Sequence, residues 1–281
     1  MNRTRFDVVF WGVRGSLPVP GPNTVRYGGN TPCVQVQIGQ TLLIMDAGTG
    51  IYHLGRQLMD SRGRISGHVF ITHTHWDHIQ GFPFFYPAFV DGNEFVIYGQ
   101  RKGEHSLLDL MQGQMAEPYF PVHLSDMFAD IRFQEVEAGE ILTISDGITV
   151  KTISINHPGG CLAYRVDHDG RSLCYVTDTE DYPFLDPGLI DFARKADVVV
   201  YDANFTEEEY LGLGGKNSKK GWGHSTWQQG VRLVREAEAD MLVLFHHAVY
   251  RNDDDMDALQ KAAQKEYPRC VAAREGMVIS L

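Results

Sequence analysis

Three histidines and an aspartate lie within six residues of one short segment, residues 71–81, whose sequence is ITHTHWDHIQG. Side chains two residues apart in an extended segment point the same way, so His73 and His75 share a face. Asp77 and His78 then begin the next turn, and imidazole with carboxylate suits Zn²⁺, Mn²⁺ or iron rather than Ca²⁺. The spacing indicates two metal ions, one held by His73 and His75 and the other by Asp77 and His78. A solvated polar turn is the alternative interpretation.

The elements that would position this segment are short strands with helices between and after them. Apolar or alternating runs predict strands at 6–11, 33–39, 41–46, 68–72 and 94–99, and a second series at 131–136, 147–155, 161–166, 172–178, 197–203 and 241–246. Helical patterns cover 50–60, 225–239 with Ser225 as N-cap, and 253–267, where acidic residues occupy the first turn. The order predicts an α/β (α+β) protein of two sheets with helices outside, in a single domain over 1–281.

Residues 100–130 fit no strand pattern and predict a helix with an irregular excursion. Long surface segments of this kind are often lids or binding loops. We therefore expect this excursion to shape the substrate pocket or a subunit contact, with Tyr119 and Phe120 against a base or a partner.

Composition limits the function classes. The 281 residues are 43% hydrophobic and 22% charged, as in ordinary globular domains. No run has the length of a signal-peptide core or a membrane span, and the four cysteines are scattered, so we expect a cytoplasmic protein with reduced, buried thiols and no membrane partner. The net charge of −11 predicts no large nucleic acid as a partner, although a small anionic substrate remains compatible. The sequence leaves open a homodimer.

The pattern His-x-His-x-Asp-His after an apolar strand resembles the metal-binding motif of the metallo-β-lactamase superfamily. That resemblance implies an αββα sandwich of two mixed β-sheets flanked by helices, with the metals at one edge. It also implies further ligands in chain order, and each candidate follows an apolar run: Asp46 in LLIMDAGTG, His157 in ISINHPGG, Asp178 in SLCYVTDTED and His246 in MLVLFHHAV. His247 is the alternative to His246.

Carried over residue by residue, the resemblance assigns two zinc ions, with manganese or iron as alternatives. It gives the first metal to His73, His75 and His157, and the second to Asp77, His78 and His246. Asp178 would bridge both ions together with a water or hydroxide, and the buried Asp46 would orient ligands. Two ions sharing a water make hydroxide available near neutral pH, which implies a hydrolase.

Further residues limit which type of bond the enzyme is expected to hydrolyse. True β-lactamases carry cysteine at the bridging position, so Asp178 disfavours lactam hydrolysis. The segment GWGHSTWQ places His224 in a Gly-His-Ser-Thr sequence that resembles ribonuclease Z and its phosphodiesterase relatives, where the histidine serves the scissile phosphate. Asp202, at the end of DVVVYDA, matches the acidic residue that orients that histidine. A catalytic set of Asp77, His224 and Asp202 is therefore implied, with a helix-capping role as the alternative for His224.

The Gly-rich loop after the first strand resembles the one in phosphodiesterase-type members, so Asn30, Thr31 and Arg14 are candidate substrate contacts, with Arg26 nearby. The chain lacks the cysteine-rich extra zinc site of the phosphoribosyl cyclic phosphodiesterases, and no segment resembles the arm of ribonuclease Z. We therefore expect a phosphodiesterase acting on a cyclic nucleotide or another small cyclic phosphate ester. The alternatives are a thioesterase or glyoxalase-like metallohydrolase and a ribonuclease Z-like nuclease.

Overall fold

The computed structural model describes residues 4–60, 63–145 and 147–281. The chain forms two compact units, each organised around one mixed β-sheet. Unit 1 comprises Met1–Val19, Gly28–Glu137 and Arg274–Ser280, and unit 2 comprises Pro20–Tyr27, Ala138–Ala273 and Leu281.

Within the described residues, the sheet of unit 1 has seven strands in the order β14-β1-β2-β3-β4-β5-β6. Their bounds are β1 Phe6–Gly12, β2 Cys33–Ile38, β3 Thr41–Met45, β4 Ser66–Phe70, β5 Glu94–Gly99, β6 Asp130–Glu135 and β14 Val278–Ser280. The pairings from β14 to β3 are antiparallel, and those from β3 to β6 are parallel.

One face of this sheet is covered by helices. They are α1 Gly50–Met59, α2 Trp76–Ile79 and α3 Leu107–Gly113, with 3-10 turns at Phe82–Phe84, Tyr86–Phe89 and Leu124–Asp126. Ile51 and Leu54 of α1 and Met111 of α3 join strand residues such as Ile44 and Val69 in one apolar core. Burying large aliphatic side chains of this kind contributes about 1.5–3 kcal/mol each.

The described residues of unit 2 also form a seven-stranded sheet, in the order β13-β12-β11-β10-β9-β8-β7. The bounds are β7 Ile141–Ser145, β8 Ile148–Ile155, β9 Cys161–His168, β10 Arg171–Val176, β11 Val198–Asp202, β12 Met241–Phe245 and β13 Cys270–Ala272. Pairings from β7 to β10 are antiparallel, and those from β10 to β13 are parallel. Every residue of β11 is buried, as its unbroken apolar run predicts.

Helices cover this second sheet as well: α4 Pro187–Ala193, α5 Glu207–Leu211, α6 Trp227–Glu236 and α7 Asp253–Glu266. Val231 and Val234 of α6 and Met256 of α7 pack with the strand residues Val199 and Leu242. The prediction of two mixed sheets flanked by helices is confirmed. In the described part of the chain, no helix is long and apolar enough to cross a membrane.

The two sheets repeat one plan, in which an antiparallel half leads into a parallel half. The first strand of each parallel half leads into a candidate site residue: Asp46 directly follows β3, and Asp178 lies two residues after the end of β10. Both residues have positive φ, 59° and 54°, and His246 after β12 has 58°. Non-glycine residues rarely adopt this conformation, and it recurs at functional sites. Here it occurs at three buried polar residues at the carboxyl ends of strands, where parallel sheets bind ligands.

Most predicted elements are confirmed to within about two residues, and the excursion contains α3 as predicted. The prediction of Ser225 as the N-cap of α6 is wrong. Thr226 occupies that position, and its side chain accepts a hydrogen bond from Gln229 N. Ser225 is buried one residue earlier, where its hydroxyl lies 3.0 Å from the Tyr201 hydroxyl.

Candidate metal centre

The histidine-rich segment forms a tight cluster in unit 1 that runs from the loop after β4 into the short helix α2, which contains Asp77 and His78. The ring centroids of His73 and His75 are 4.4 Å apart, and those of His73 and His78 are 4.3 Å apart. His78 Nε2 lies 3.3 Å from Asp77 Oδ2. His73, Asp77 and His78 are buried, whereas His75 is exposed. We call these four residues the unit 1 cluster.

Asp46 orients the unit 1 cluster through hydrogen bonds to Thr72 and His78. Its carboxylate is fully buried and accepts hydrogen bonds from Thr72 N (2.8 Å) and Thr72 Oγ1 (3.0 Å). His78 Nδ1 lies 2.8 Å from Asp46 Oδ2 and donates to it, which places the lone pair of His78 on Nε2. A carboxylate on the second nitrogen is the usual arrangement of a metal-binding histidine. This geometry fits the predicted orienting role of Asp46.

Asp77 is held by the backbone of the loop after β1. Its Oδ2 accepts a hydrogen bond of 2.7 Å from Ser16 N, and Ser16 has a φ of 64°. The carboxylate is thereby fixed at the start of α2 beside His78.

A second cluster lies in unit 2, centred on Asp178. The carboxylate has His246 Nε2 at 3.4 Å, His224 Nδ1 at 3.6 Å and His157 Nε2 at 4.0 Å. Asp178 and His246 are buried, and Thr177 Oγ1 donates to Asp178 Oδ2 at 2.6 Å. The carboxylate of Asp178 and the imidazoles of His157 and His246 form a donor set that suits a transition-metal ion. We call Asp178, His157, His224 and His246 the unit 2 cluster.

His157 has the tautomer that a metal ligand requires. Its Nδ1 donates to Gly223 O at 2.7 Å, so the lone pair lies on Nε2, the nitrogen facing Asp178. The contact depends on a close approach: a Cβ on Gly223, whose φ is +80°, would lie 2.4 Å from His157 Nδ1. Glycine is therefore required at this position.

His246 and His247 point in different directions. His246 stacks on the His224 ring, with centroids 4.9 Å apart, and reaches Asp178. His247 Nε2 donates instead to Ala273 O at 2.7 Å, and its ring meets Tyr27 edge-on. This arrangement favours His246 as the metal ligand.

His224 and Asp202 form a hydrogen-bonded pair in unit 2. His224 Nδ1 lies 3.0 Å from Asp202 Oδ2. Asp202 is fully buried at the end of β11, and its two oxygens also accept from Asn204 N (3.0 Å) and Thr179 N (3.3 Å). A buried carboxylate beside an imidazole favours the protonated imidazolium form. The N-cap of α6 is Thr226, two residues after His224, so the capping alternative does not apply.

Glu180 was not predicted from the sequence. Its carboxylate accepts from Gly221 N (2.6 Å), Gly223 N (2.7 Å) and the Tyr210 hydroxyl (2.7 Å). Glu180 therefore fastens the loop whose Gly223 carbonyl orients His157 and whose next residue is His224. The acidic sequence TDTED, residues 177–181, which includes Asp178, and the glycines of GWGH are the only signals of this link in the sequence.

The candidate substrate contacts have structural partners. Arg14 is completely buried, and its Nε donates to Gly28 O at 2.7 Å. Asn30 donates through its backbone N to Glu275 Oε1 (2.6 Å) and accepts from Thr49 Oγ1, and the buried Thr31 accepts from Thr49 N at 2.8 Å. Burial of Arg14 does not favour direct contact with a substrate.

Arg26 belongs to unit 2 and faces acidic residues of α7. Its guanidinium pairs with Asp257 at 2.7 Å and with Asp254. Asp253 Oδ2 also accepts from the Arg26 backbone N at 2.9 Å. These contacts anchor the loop to α7. They also neutralise the positive charge of Arg26, which was a candidate contact for an anionic substrate.

The family model of the beta-lactamase superfamily domain matches residues 41–247. Curated relatives include ribonuclease Z of Halalkalibacterium halodurans, 25% identical over 85% of this chain and 87% of the relative. Ribonuclease Z of Haloarcula marismortui is 24% identical over 96% of this chain and 95% of the relative.

Solved structures share the fold over nearly the whole chain. The metallo-beta-lactamase fold protein YhfI from Bacillus subtilis has a TM-score of 0.71 and 20% identity, covering 99% of this chain and 100% of that one. Human tRNase Z, short form, has a TM-score of 0.66 and 20% identity, covering 97% and 98%. A diphosphatase from the PhnP family has a TM-score of 0.67 and 17% identity, covering 99% and 97%.

These relatives correct one prediction. We expected no large nucleic acid as a partner because of the net charge of −11, and that prediction is wrong: the relatives that cover most of this chain are ribonucleases. Net charge averages over the whole surface and does not describe the potential at one site. Since the family model spans well over half of the sequence, the protein is a ribonuclease Z-like member of the beta-lactamase superfamily, a metal-dependent hydrolase with the metallo-β-lactamase fold.

Proposed function

We propose that the chain is a dinuclear phosphodiesterase. The ligand set proposed for one ion is His73, His75 and His157, and for the other Asp77, His78 and His246, with Asp178 shared. Zinc is the first candidate, and manganese or iron the second. When bound, two such ions lower the pKa of a water and neutralise charge on the scissile phosphate.

The donor chemistry of both clusters supports this ligand set. His78 and His157 each donate their Nδ1 hydrogen to an oxygen, Asp46 Oδ2 and Gly223 O, and so offer Nε2 as a ligand. The unit 2 cluster consists of one carboxylate and three imidazoles, so none of its four residues is a Lys or Arg that would repel a cation. Metal affinity of such sites depends strongly on these outer hydrogen bonds.

The pairing of His224 with Asp202 is the observation that carries the phosphodiester assignment. With its Nδ1 3.0 Å from a buried carboxylate, a protonated His224 would donate a hydrogen bond to a phosphate oxygen or give its proton to the departing alkoxide. An alkoxide is a poor leaving group and gains from such an acid, whereas a thiolate leaves without one. The pair therefore favours a phosphodiester over a thioester.

The substrate we propose is a phosphodiester that contains a nucleotide, either a cyclic nucleotide or an RNA strand. The cyclic phosphate ester follows from the sequence resemblance to the phosphodiesterase branch. RNA is the second candidate, and the ribonuclease Z relatives over 85% and 96% of this chain favour it.

A substrate panel tests the proposal. Purified protein with measured metal content is assayed with bis-p-nitrophenyl phosphate, 2′,3′- and 3′,5′-cyclic nucleotides, a transfer-RNA precursor, a thioester and nitrocefin. We expect about two metal ions per chain and turnover of phosphodiesters that chelator abolishes and added zinc or manganese restores. Turnover of the thioester without turnover of any phosphodiester would overturn the assignment. His53→Ala, which removes an exposed histidine of α1, is the matched control for all histidine variants.

A further inference from the structure

A cavity of about 680 Å³ lies in unit 1, and part of its wall comes from the segment that carries the unit 1 cluster. Its wall includes Thr74 and Trp76, which alternate with His73, His75 and Asp77 along the chain. The opposite wall comes from the end of α3 and the irregular segment that follows it, within residues 100–130. A pocket of this volume is in the range of small-ligand sites.

Aromatic side chains dominate the wall of this cavity. Trp76 is 81% exposed, Tyr119 86% and Phe84 54%. Phe84 also meets Phe120 edge-on, with ring centroids 5.4 Å apart. Four aromatic rings around one cavity, three of them largely open to solvent, form a surface suited to binding rather than to the core.

The polar groups of the lining are uncharged. They are the hydroxyls of Thr74 and Tyr119 and the amides of Gln80 and Gln114, and none of the described residues that line the cavity is Asp, Glu, Lys, Arg or His. A phosphate group is recognised by cations and is not suited to this lining. A nucleobase fits it, because bases stack on aromatic rings and bond through their edges to amides and hydroxyls.

We infer that this cavity binds the nucleobase of the substrate nucleotide whose phosphate is hydrolysed. The inference rests on the proposed function and extends it from a phosphodiester to a base-bearing one. Trp76 links the two parts, because it lies between His75 and Asp77, both proposed metal ligands. Every base can stack against Trp76 and Tyr119. We therefore expect the cavity to favour substrates that carry a base over substrates that carry none, without discriminating among the different bases.

Two substrates with the same leaving group, one with a base and one without, measure how much the base contributes to kcat/KM. Thymidine 5′-monophosphate p-nitrophenyl ester carries a base, and methyl p-nitrophenyl phosphate does not. The parent is expected to prefer the first, and the ratio of the two kcat/KM values should fall about 5- to 150-fold in Tyr119→Ala and in Trp76→Ala. Both side chains are largely exposed, so the variants are expected to fold. An unchanged ratio in both variants would overturn the inference.

Phe128→Ala is the matched control. Phe128 is an aromatic residue of the same segment, 69% exposed, and does not line the cavity. In Phe128→Ala, the ratio of the two kcat/KM values should equal that of the parent. An equal fall in this variant would mean that the segment acts through general disorder, which contradicts the inference.

A binding measurement without chemistry separates the inference from the proposed function. Thymidine and adenosine lack phosphate, and their stacking should quench tryptophan emission in the parent but not in Trp76→Phe. Quenching by nucleosides in a protein that hydrolyses no phosphodiester would support the base site and refute the phosphodiesterase. Phosphodiester turnover with no quenching and no base preference would refute the base site alone. A dimer in sedimentation velocity that Tyr119→Ala dissociates, with an unchanged substrate ratio, would assign the cavity to a second copy of the chain and overturn the inference.

Discussion

His224 Nδ1 lies 3.0 Å from Asp202 Oδ2, and the same nitrogen lies 3.6 Å from Asp178 Oδ1. One imidazole therefore faces two buried carboxylates, which together favour its protonated form. The ring stacks on His246 at 4.9 Å, so its position is fixed from a second side. A positioned acid of this kind is expected to act on the leaving group rather than to bind metal.

His224→Ala should keep the fold and the metal content while losing turnover. Loss of one positioned acid or hydrogen-bond donor typically lowers the rate by about 10²–10⁴. The loss should be large for a ribose alkoxide and small for p-nitrophenolate, which needs little protonation. Steady-state kinetics on both substrate types, with elemental analysis of the variant, checks this. Parental rates on every phosphodiester would falsify the role of His224, and His53→Ala should match the parent throughout.

Asp202→Asn should give a smaller loss in the same direction. The amide can still hold the His224 ring, but it carries no charge to stabilise the imidazolium. We expect the pH–rate profile on the alkoxide substrate to lose activity at a lower pH than in the parent, since the imidazole loses its proton more easily. A profile that is scaled down without any shift would mean that Asp202 acts on the fold alone.

Asp178→Ala should abolish hydrolysis and weaken both metal sites, because we propose that this carboxylate serves both ions. Alanine at a φ of 54° also carries backbone strain, so the variant needs a control with equal strain. Asp169→Ala provides it, since Asp169 is exposed in the β9–β10 turn with a φ of 52°. Metal content near the parent value in Asp178→Ala would contradict the ligand assignment, whatever the activity.

The strands that carry the candidate site were predictable because their apolar runs are unbroken. Residues such as Asp46 and His246 lie directly after those runs, at the carboxyl ends of the strands, where α/β sheets usually bind ligands. The short strands β13 and β14 and the strand β7, which has no buried residue, were missed, because three residues or a weakly apolar run give no clear period.

Long-range contacts were beyond sequence reasoning. Glu180 bonds to Tyr210, Gly221 and Gly223, which lie 30 to 43 residues further along the chain. Burial was equally beyond local sequence reasoning: an arginine in a Gly-rich loop indicates anion binding, and the structure places the Arg14 side chain fully buried against Gly28 O. The spacing of residues along the chain predicts neither whether a charged side chain is buried nor which residue a carboxylate contacts.

The four cysteines should be unreactive in the native protein. All four are buried thiols outside any disulfide, and burial raises the pKa of Cys33 well above its ordinary value and those of Cys174 and Cys270 to about 12. The reactive thiolate is therefore scarce at pH 8. Ellman's reagent at that pH should modify the native chain only slowly and titrate all four thiols in guanidinium chloride. Rapid native reaction of even one thiol would contradict the buried assignment.

Glu180→Ala tests whether the loop that follows α5 positions the site. Without the carboxylate, Gly221 N and Gly223 N lose their acceptor, and the Gly223 carbonyl no longer holds His157 Nδ1 in place. Outer hydrogen bonds of this kind typically change metal affinity or activity about 10- to 100-fold. We expect a weaker metal affinity and a lower kcat with little change in KM.

Glu180→Gln should give an intermediate effect, because the amide retains one acceptor oxygen for the two backbone donors. Glu208→Ala, which removes an exposed glutamate of the neighbouring α5, is the control and should match the parent. A purely structural role for Glu180 would lower the melting temperature while leaving the metal dissociation constants at the parent value. Competition with a zinc chelator measures those constants directly, and parental values in Glu180→Ala would show that His157 does not depend on this loop.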